Sequence, residues 1–240
     1  MIIMNYYESG DLIRYITNDF FNTSWNDRLK KLFYIISGLE EIHNANIIHK
    51  DYHSGNIFIT NVAITGDLGI SKSAIESSDD NDNNEIYGII PYVAPEIFRG
   101  QKYTKASDIY SFGMIMWELM TGRRPFWNHE HDAELIIKIC DGLRPPIDTN
   151  APEGYIELMQ ECWNPDPNKR PTVTDLMNKI MAIKRKESYN ETIITESTDV
   201  GPIQNNPGAI YKSRYLSSII KSAESTRNLK SQRITSNSGK

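Results

Sequence analysis

The sequence contains only two cysteines, Cys140 and Cys162, and they lie far apart in the chain. Two cysteines are too few for a disulfide framework, and their separation does not match the short spacing of cysteine metal ligands. The sequence therefore excludes a small disulfide-rich secreted fold and a cysteine-based zinc site. A reduced intracellular compartment fits best, so we expect a cytoplasmic protein.

Long apolar runs and a surplus of basic residues are also missing. No segment reaches the roughly 20 apolar residues that a membrane-spanning helix requires. Residues 1–4 are apolar but too short for a signal peptide, and no basic flank precedes them. The formal net charge is −5, which provides no basic surface for nucleic acid. We therefore expect no membrane span and no nucleic-acid partner.

Aromatic residues and acidic charge become scarce near the end of the chain. Residues 186–240 carry 8 Lys and Arg against 5 Asp and Glu, whereas residues 1–185 carry 18 against 26. The tail is rich in Ser, Asn and Thr and has too little apolar surface to offset the entropy of folding. We expect a domain over residues 1–185 and a low-complexity, largely disordered tail over residues 186–240. One amphipathic stretch, residues 210–220, leaves open a short helix or a docking segment for a protein partner.

Apolar residues recur at helical spacing through most of the remaining chain. Between residues 106 and 120 they surround the helix, which indicates burial on all sides. The expected fold class is α+β, mainly α with short β hairpins. The pattern predicts further helices at residues 11–18, 29–42, 132–141, 152–163 and 172–184, and short strands at residues 47–49, 57–60 and 63–65.

A polar loop between two of the predicted strands contains residue types that suit catalysis. Asp51 and Asn56 lie five positions apart in this loop, and Asp67 follows between Gly66 and Gly69. Two carboxylates and one carboxamide form a set of hard oxygen ligands that suits Mg²⁺ and a phosphate ester. Taken singly, Asp and Asn in loops are more often caps and turn formers. Spacing alone therefore leaves both interpretations open.

The order of the motifs resembles that of the eukaryotic protein kinases, and the resemblance covers residues 1–184. Residues 49–56 (HKDYHSGN) match the catalytic loop, residues 67–69 (DLG) the metal-binding turn, and residues 94–96 (APE) the end of the activation segment. Residues 163–172 (WNPDPNKRPT) resemble the tyrosine-kinase-like branch. The resemblance implies the hinge and C-terminal lobe of a protein kinase, with a protein substrate and with ATP and Mg²⁺ as cofactors.

The resemblance also implies a role for each residue of the site. Asp51 is expected to take the proton of the substrate hydroxyl, and His53 to lie near the transferring phosphate. Asn56 and Asp67 are expected to hold Mg²⁺ and, through it, the nucleotide. On the hinge side, the residues expected to contact ATP are Met4, Tyr6 and Asp11.

Three more residues are expected to support the site without reacting. Glu96 and Arg170 match a buried ion pair that ties the activation segment to the lower lobe. Asp108, at the start of the buried helix, is expected to hydrogen-bond the backbone of the catalytic loop near His49.

The sequence departs from the family pattern at several positions. No glycine-rich loop, strand lysine or helix glutamate precedes Met1, so the truncated chain is expected to be impaired in holding ATP phosphates. Lys50 and His53 replace the Arg and Lys that are usual in serine/threonine kinases, and Leu68 replaces Phe in the metal-binding turn. Residues 88–92 lack the Thr that usually contacts the catalytic Asp. Specificity for Ser/Thr or for Tyr therefore stays open.

The sequence favours a protein kinase that transfers the γ-phosphate of ATP to a Ser or Thr hydroxyl of a protein, with Tyr as a second option. The alternative is a non-catalytic kinase-like (pseudokinase) interaction module in signalling. Retention of Asp51, Asn56 and Asp67 together favours descent from an active enzyme. The missing upper lobe favours an inactive isolated chain.

Overall fold

The computed structural model describes residues 7, 9–74 and 86–237. Three antiparallel strand pairs, β1–β4, β2–β3 and β5–β6, accompany the helices. The predicted class, mainly α with short β pairs, is confirmed. The helices within these residues are α1 Leu12–Asn18, α2 Trp25–Asn44, α3 Pro95–Phe98, α4 Lys105–Thr121, α5 Ala133–Cys140, α6 Tyr155–Cys162, α7 Val173–Glu187 and α8 Ser217–Asn237. The strands are β1 Ile47–Ile48, β2 Ile57–Ile59, β3 Ala63–Thr65, β4 Lys72–Ser73, β5 Tyr87–Gly88 and β6 Arg214–Tyr215.

Helix α4 forms the centre of the core, as the sequence predicts. Every residue from Ser107 to Thr121 is buried, and α4 contacts α1, α2 and α6. At its start, the main-chain N–H of Thr104 donates to the Ser107 hydroxyl at 3.1 Å. Gly122 ends the helix with a left-handed φ of 73°, and a Cβ at this position would lie 2.6 Å from the Phe20 ring. Glycine is therefore required there both by conformation and by space.

Two helices differ in length from the sequence prediction. Helix α6 starts at Tyr155 and not at residue 152, because Gly154 before it has a φ of 86°. Helix α7 continues to Glu187, whose carboxylate accepts hydrogen bonds from the N–H and hydroxyl of Thr192 at 2.6 and 2.7 Å. In the described part of the chain, no helix is long and apolar enough to cross a membrane.

The tail differs from the expectation of disorder. After α7 the chain runs back over the domain, β6 pairs with β5, and α8 packs against α5. Leu216, Ile220 and Ala223 are buried and follow the spacing of one helix face, while Val200 is buried farther upstream. The average composition of the tail concealed this stripe, which gives the segment enough apolar contact to be ordered.

A buried ion pair joins α3 to the segment before α7. The guanidinium of Arg170 donates to both carboxylate oxygens of Glu96 at 2.7 Å, and both residues are buried. Arg170 also donates to the main-chain oxygens of Ala106 and Asn164, at 2.9 and 3.0 Å. The expected pairing of Glu96 with Arg170 is confirmed, and it fixes the end of the activation segment to the domain.

A second buried carboxylate lies near the other end of α4. Glu118 accepts hydrogen bonds from the hydroxyls of Tyr92, at 2.7 Å, and Ser54, at 3.0 Å, both on Oε1. Its other oxygen is buried without a hydrogen-bond partner in the structure. Burial, which the hydrogen bonds offset only in part, raises the pKa of Glu118 to about 7.

Replacing Arg170 by Ala should destabilise the domain strongly, because the Glu96 carboxylate would remain buried without its partner. We expect the free energy of unfolding to fall by about 3 to 5 kcal/mol, measured by urea denaturation. The control is Lys179→Ala, which removes the half-exposed pair with Glu161 and should cost less than about 1 kcal/mol. Equal losses in the two variants would contradict the structural role given to Arg170.

Replacing Glu118 by Gln should flatten the dependence of stability on pH. The pKa of Glu118 is about 7 in the folded chain and has its ordinary value of 4.5 in the unfolded chain. The folded chain therefore binds this proton more tightly. The stabilisation that the bound proton gives the folded chain is complete below pH 4.5. It is lost as the pH rises to about 7, which lowers the free energy of unfolding by up to about 3 kcal/mol.

The measurement is urea unfolding of both proteins at pH 5 and pH 8. The wild type should lose more stability between these values than Glu118→Gln, whose amide oxygen can still accept both hydroxyls. The exposed Glu161→Gln provides the matched control and should follow the wild type. Parallel curves for the wild type and Glu118→Gln would rule out the raised pKa.

Candidate active site

The catalytic loop lies between β1 and β2 and is held by the first turn of α4. Asp108 accepts hydrogen bonds from the main-chain N–H groups of His49, at 2.9 Å, and Lys50, at 3.0 Å. The same carboxylate contacts Nε2 of His43 at 2.9 Å. Lys50 has a left-handed φ of 71°, a conformation that these contacts stabilise. The expected role of Asp108 is confirmed.

Asp51 and Asn56 come together at the two ends of the loop. The amide nitrogen Nδ2 of Asn56 donates to the main-chain oxygen of Asp51 at 2.9 Å, and both residues are buried. The last turn, Ser54–Asn56, is a 3₁₀ helix that begins after His53. Since Nδ2 is occupied by the loop itself, the oxygen of the Asn56 amide is the end that remains for a ligand.

His53 lies beside the Asp51 carboxylate. Its Nδ1 accepts a hydrogen bond from the N–H of Gly55 at 3.1 Å, so Nδ1 carries no hydrogen in this arrangement. The ring hydrogen is therefore assigned to Nε2, which lies 3.5 Å from Oδ1 of Asp51. The Nε2 edge of the His53 ring therefore faces the Asp51 carboxylate.

The environment of Asp51 favours its ionised form. Burial raises the pKa of the carboxyl, but hydrogen bonds from His53 and Ser213 and the electrostatic effect of His53 outweigh burial and lower the pKa below its ordinary value. An ionised carboxylate can accept a hydrogen bond, and then a proton, from a hydroxyl group. Asp51 is thus suited to orient a hydroxyl nucleophile at neutral pH.

The turn that contains Asp67 is tied to the catalytic loop through Gly66. The N–H of Gly66 donates to the main-chain oxygen of Asn56 at 2.9 Å, and the carbonyl oxygen of Gly66 lies 3.1 Å from Nε2 of His49. A Cβ on Gly66 would lie 2.8 Å from the Phe58 ring, so a larger residue would force the two loops apart.

Asp67 itself is exposed and has a left-handed φ of 58°. Its Oδ1 accepts a hydrogen bond from the N–H of Gly69 at 3.3 Å. Among the described residues, this carboxylate forms no hydrogen bond with Asp51 or Asn56. The same part of the chain contains no group of three or more His, Cys, Asp or Glu side chains that could hold a metal. A metal here would depend on one carboxylate and one amide oxygen, a set that fits Mg²⁺ because this ion retains several waters.

Gly88, the last residue of β5, borders Asp51. A Cβ on Gly88 would lie 3.5 Å from Oδ1 of Asp51 and 3.1 Å from a methyl group of Val93. Ile89 follows and is buried, within residues 88–92, which lack the Thr expected from the resemblance. The backbone therefore approaches Asp51 closely on this side, and the side chain that follows is apolar.

The predicted nucleotide contacts are described only in part. Met4 and Tyr6 lie outside the described residues. Asp11 caps α1, accepting a hydrogen bond from the N–H of Arg14 at 2.9 Å, and it forms an isolated bridge with Phe58. Its contact with ATP stays a prediction.

One residue of the site was missed by sequence reasoning. Ser213 in the tail places its hydroxyl oxygen 3.1 Å from Nε2 of His53. The amphipathic stretch over residues 210–220 left a short helix or a docking segment open, but its pattern of apolar residues contains no signal for where a serine would lie.

Comparison with known proteins places the chain in a family. The family described as protein tyrosine and serine/threonine kinase matches residues 1–180. A mimivirus protein (Acanthamoeba polyphaga mimivirus) named as a serine/threonine-protein kinase/receptor is 31% identical over 187 residues, covering 76% of this chain and 11% of the relative. Stress-activated protein kinase alpha of Dictyostelium discoideum is 29% identical over 220 residues, covering 85% and 34%.

Ephrin type-A receptor 5 of Rattus norvegicus is 28% identical over 222 residues, covering 90% of this chain and 22% of the receptor. The chain thus spans between 11% and 34% of the length of these three relatives. The match of the family over three quarters of the chain agrees with the mainly α fold and with the contacts around Asp51. The chain belongs to the protein tyrosine and serine/threonine kinase family.

Proposed function

We propose that this protein is an ATP-dependent protein kinase that transfers the γ-phosphate to a Ser or Thr hydroxyl of a protein, with Asp51 as the general base. The observation that carries the proposal is the arrangement of Asp51, which is buried beside His53, in a setting that lowers the pKa of its carboxyl. Relatives named as serine/threonine kinases support the choice of acceptor.

Within this proposal, each residue of the loop has a defined task. Asp51 accepts the hydrogen bond of the acceptor hydroxyl and then its proton. His53 lies beside this carboxylate, with Nε2 3.5 Å from Oδ1 of Asp51. Asn56 closes the loop through Nδ2 and offers its amide oxygen, with the carboxylate of Asp67, to a divalent cation. Bound Mg²⁺ would neutralise charge on the phosphate oxygens of ATP as it develops in the transition state.

A non-catalytic kinase-like module is the rival proposal. Ile89 supports it, because Asp51 lacks the hydroxyl partner that the family pattern provides at this position. The two proposals differ in whether phosphate transfer depends on Asp51. A signalling role and a cytoplasmic location are further proposals. Two free, buried cysteines agree with a reduced compartment, and fractionation of cells that express the tagged protein tests it.

Replacing Asp51 by Asn should abolish most of the phosphate transfer, because the amide keeps the shape of the side chain but cannot take a proton. We expect kcat to fall by about 10²- to 10⁴-fold, measured with labelled ATP and an added protein substrate on the full protein purified from its own cells. The Asp→Asn control is the exposed Asp148, which should retain wild-type activity. Equal background transfer by the wild type and Asp51→Asn would favour the non-catalytic module.

Replacing Asp67 by Asn should weaken nucleotide binding only when Mg²⁺ is present, since the carboxylate is proposed to act through the cation. We expect the affinity for ATP with Mg²⁺ to fall at least about 10-fold, measured by titration calorimetry. Binding of ATP with EDTA should be the same in both proteins. A loss of similar size in EDTA would show that Asp67 acts on the fold or on the nucleotide itself, and not on the metal.

A further inference from the structure

Residues 211–216 of the tail cross the active site, where β6 pairs with β5. In the β5–β6 pair, Arg214 lies opposite Gly88 and Tyr215 opposite Tyr87, and the N–H of Leu216 donates to the main-chain oxygen of Ile86 at 2.8 Å. Gly88 is the residue that borders the Asp51 carboxylate. The strand therefore brings the residue before Arg214 to the general base.

That residue is Ser213, and its hydroxyl contacts His53, the neighbour of Asp51 in the catalytic loop. The oxygen lies 3.1 Å from Nε2 of His53, and the same nitrogen lies 3.5 Å from Oδ1 of Asp51. Because Nε2 carries the ring hydrogen, His53 donates to the serine oxygen. The hydrogen of Ser213 is then free to point at the Asp51 carboxylate, as a nucleophile must before it reacts.

Contacts on both sides hold Ser213 in this register. Before it, the Tyr211 hydroxyl donates to the main-chain oxygen of Pro125 at 2.9 Å, and the Tyr211 ring packs edge-on against His131 at 4.8 Å. After it, Arg214 donates to the main-chain oxygen of His131 at 2.7 Å. Leu216 is fully buried. The position of the serine is therefore fixed by four neighbouring contacts and not by its own hydroxyl alone.

We propose that Ser213 is a phosphoacceptor for the catalytic loop of its own chain, with residues 211–216 bound as an internal substrate; this proposal rests on the kinase function proposed above. In the step, the Ser213 oxygen forms a bond to the γ-phosphorus of ATP. The bond between that phosphorus and the oxygen bridging to the β-phosphate breaks, and its electron pair leaves with ADP. The hydroxyl proton passes to Asp51 and then to solvent.

The internal arrangement predicts how the reaction depends on concentration. Since the acceptor and the base belong to one chain, the rate per molecule should not change when the protein is diluted. An Asp51→Asn chain should not gain phosphate at Ser213 when wild-type protein is added, because its own tail occupies its own site. Both properties separate this reaction from transfer between molecules.

The experiment is incubation of the full protein with labelled ATP and magnesium, with casein as an added substrate, followed by mapping of the modified residues. We expect phosphate on Ser213 at a rate unaffected by dilution, and total self-labelling at least about 10-fold lower in Ser213→Ala. Ser218→Ala, which removes an exposed serine of the same tail, should label like the wild type.

The outcomes distinguish this inference from the kinase function on which it rests. Labelled casein with an unlabelled Ser213 overturns the inference and leaves the kinase function standing. No label on either protein overturns the kinase function and the inference with it. Undiminished Ser213 phosphate in Asp51→Asn, or a rate that falls on dilution, also overturns the internal reaction.

Discussion

The shape of the active site depends on one buried carboxylate, that of Asp108. It accepts hydrogen bonds from two consecutive main-chain N–H groups, those of His49 and Lys50, and contacts His43. A buried charge is stable only with such partners, and the first turn of a helix also favours a negative charge. Because α4 is buried on all sides, it provides a rigid base, and Lys50 can hold a left-handed φ that an isolated loop would not keep. The hydrogen bonds of Asp108 therefore also fix the position of Asp51, the next residue.

The polar residues of α4 extend this principle to the rest of the site. Asp108, Ser111 and Glu118 lie on neighbouring faces of the helix, given its period of 3.6 residues. Ser111 donates to the main-chain oxygen of Tyr92 at 2.7 Å, and Glu118 accepts from the Tyr92 and Ser54 hydroxyls. Through these polar side chains, α4 holds two segments that meet at Asp51. One is the catalytic loop, and the other is the chain that follows β5. The ion pair of Glu96 and Arg170 then fixes the end of the chain that follows β5, at α3.

What could be predicted from the sequence was what is encoded locally. The apolar period of residues 106–120 indicated a helix buried on all sides, and the polar loop between β1 and β2 indicated Asp51 and Asn56. The tail could not be placed, because the β5–β6 pair and the contact of Ser213 with His53 join residues more than a hundred positions apart. A strand pair with only two residues in each strand has no recognisable pattern of apolar and polar residues. The average composition of the 55 residues also conceals the few buried residues Leu216, Ile220 and Ala223. The ionisation of Glu118 was equally invisible, since it depends on burial and not on sequence neighbours.

The tail is held at the active site by contacts of unequal strength. A two-stranded pair is marginal by itself in water, so β5–β6 alone would not keep residues 211–216 in place. Leu216, Ile220 and Ala223 are buried where α8 begins, and α8 packs on α5. Withdrawing Ser213 from Asp51 therefore requires the loss of a few hydrogen bonds and of the Tyr211 contact, while α8 can remain bound. Firm attachment of the tail through α8 is thus separate from the weaker contacts that hold Ser213 beside His53.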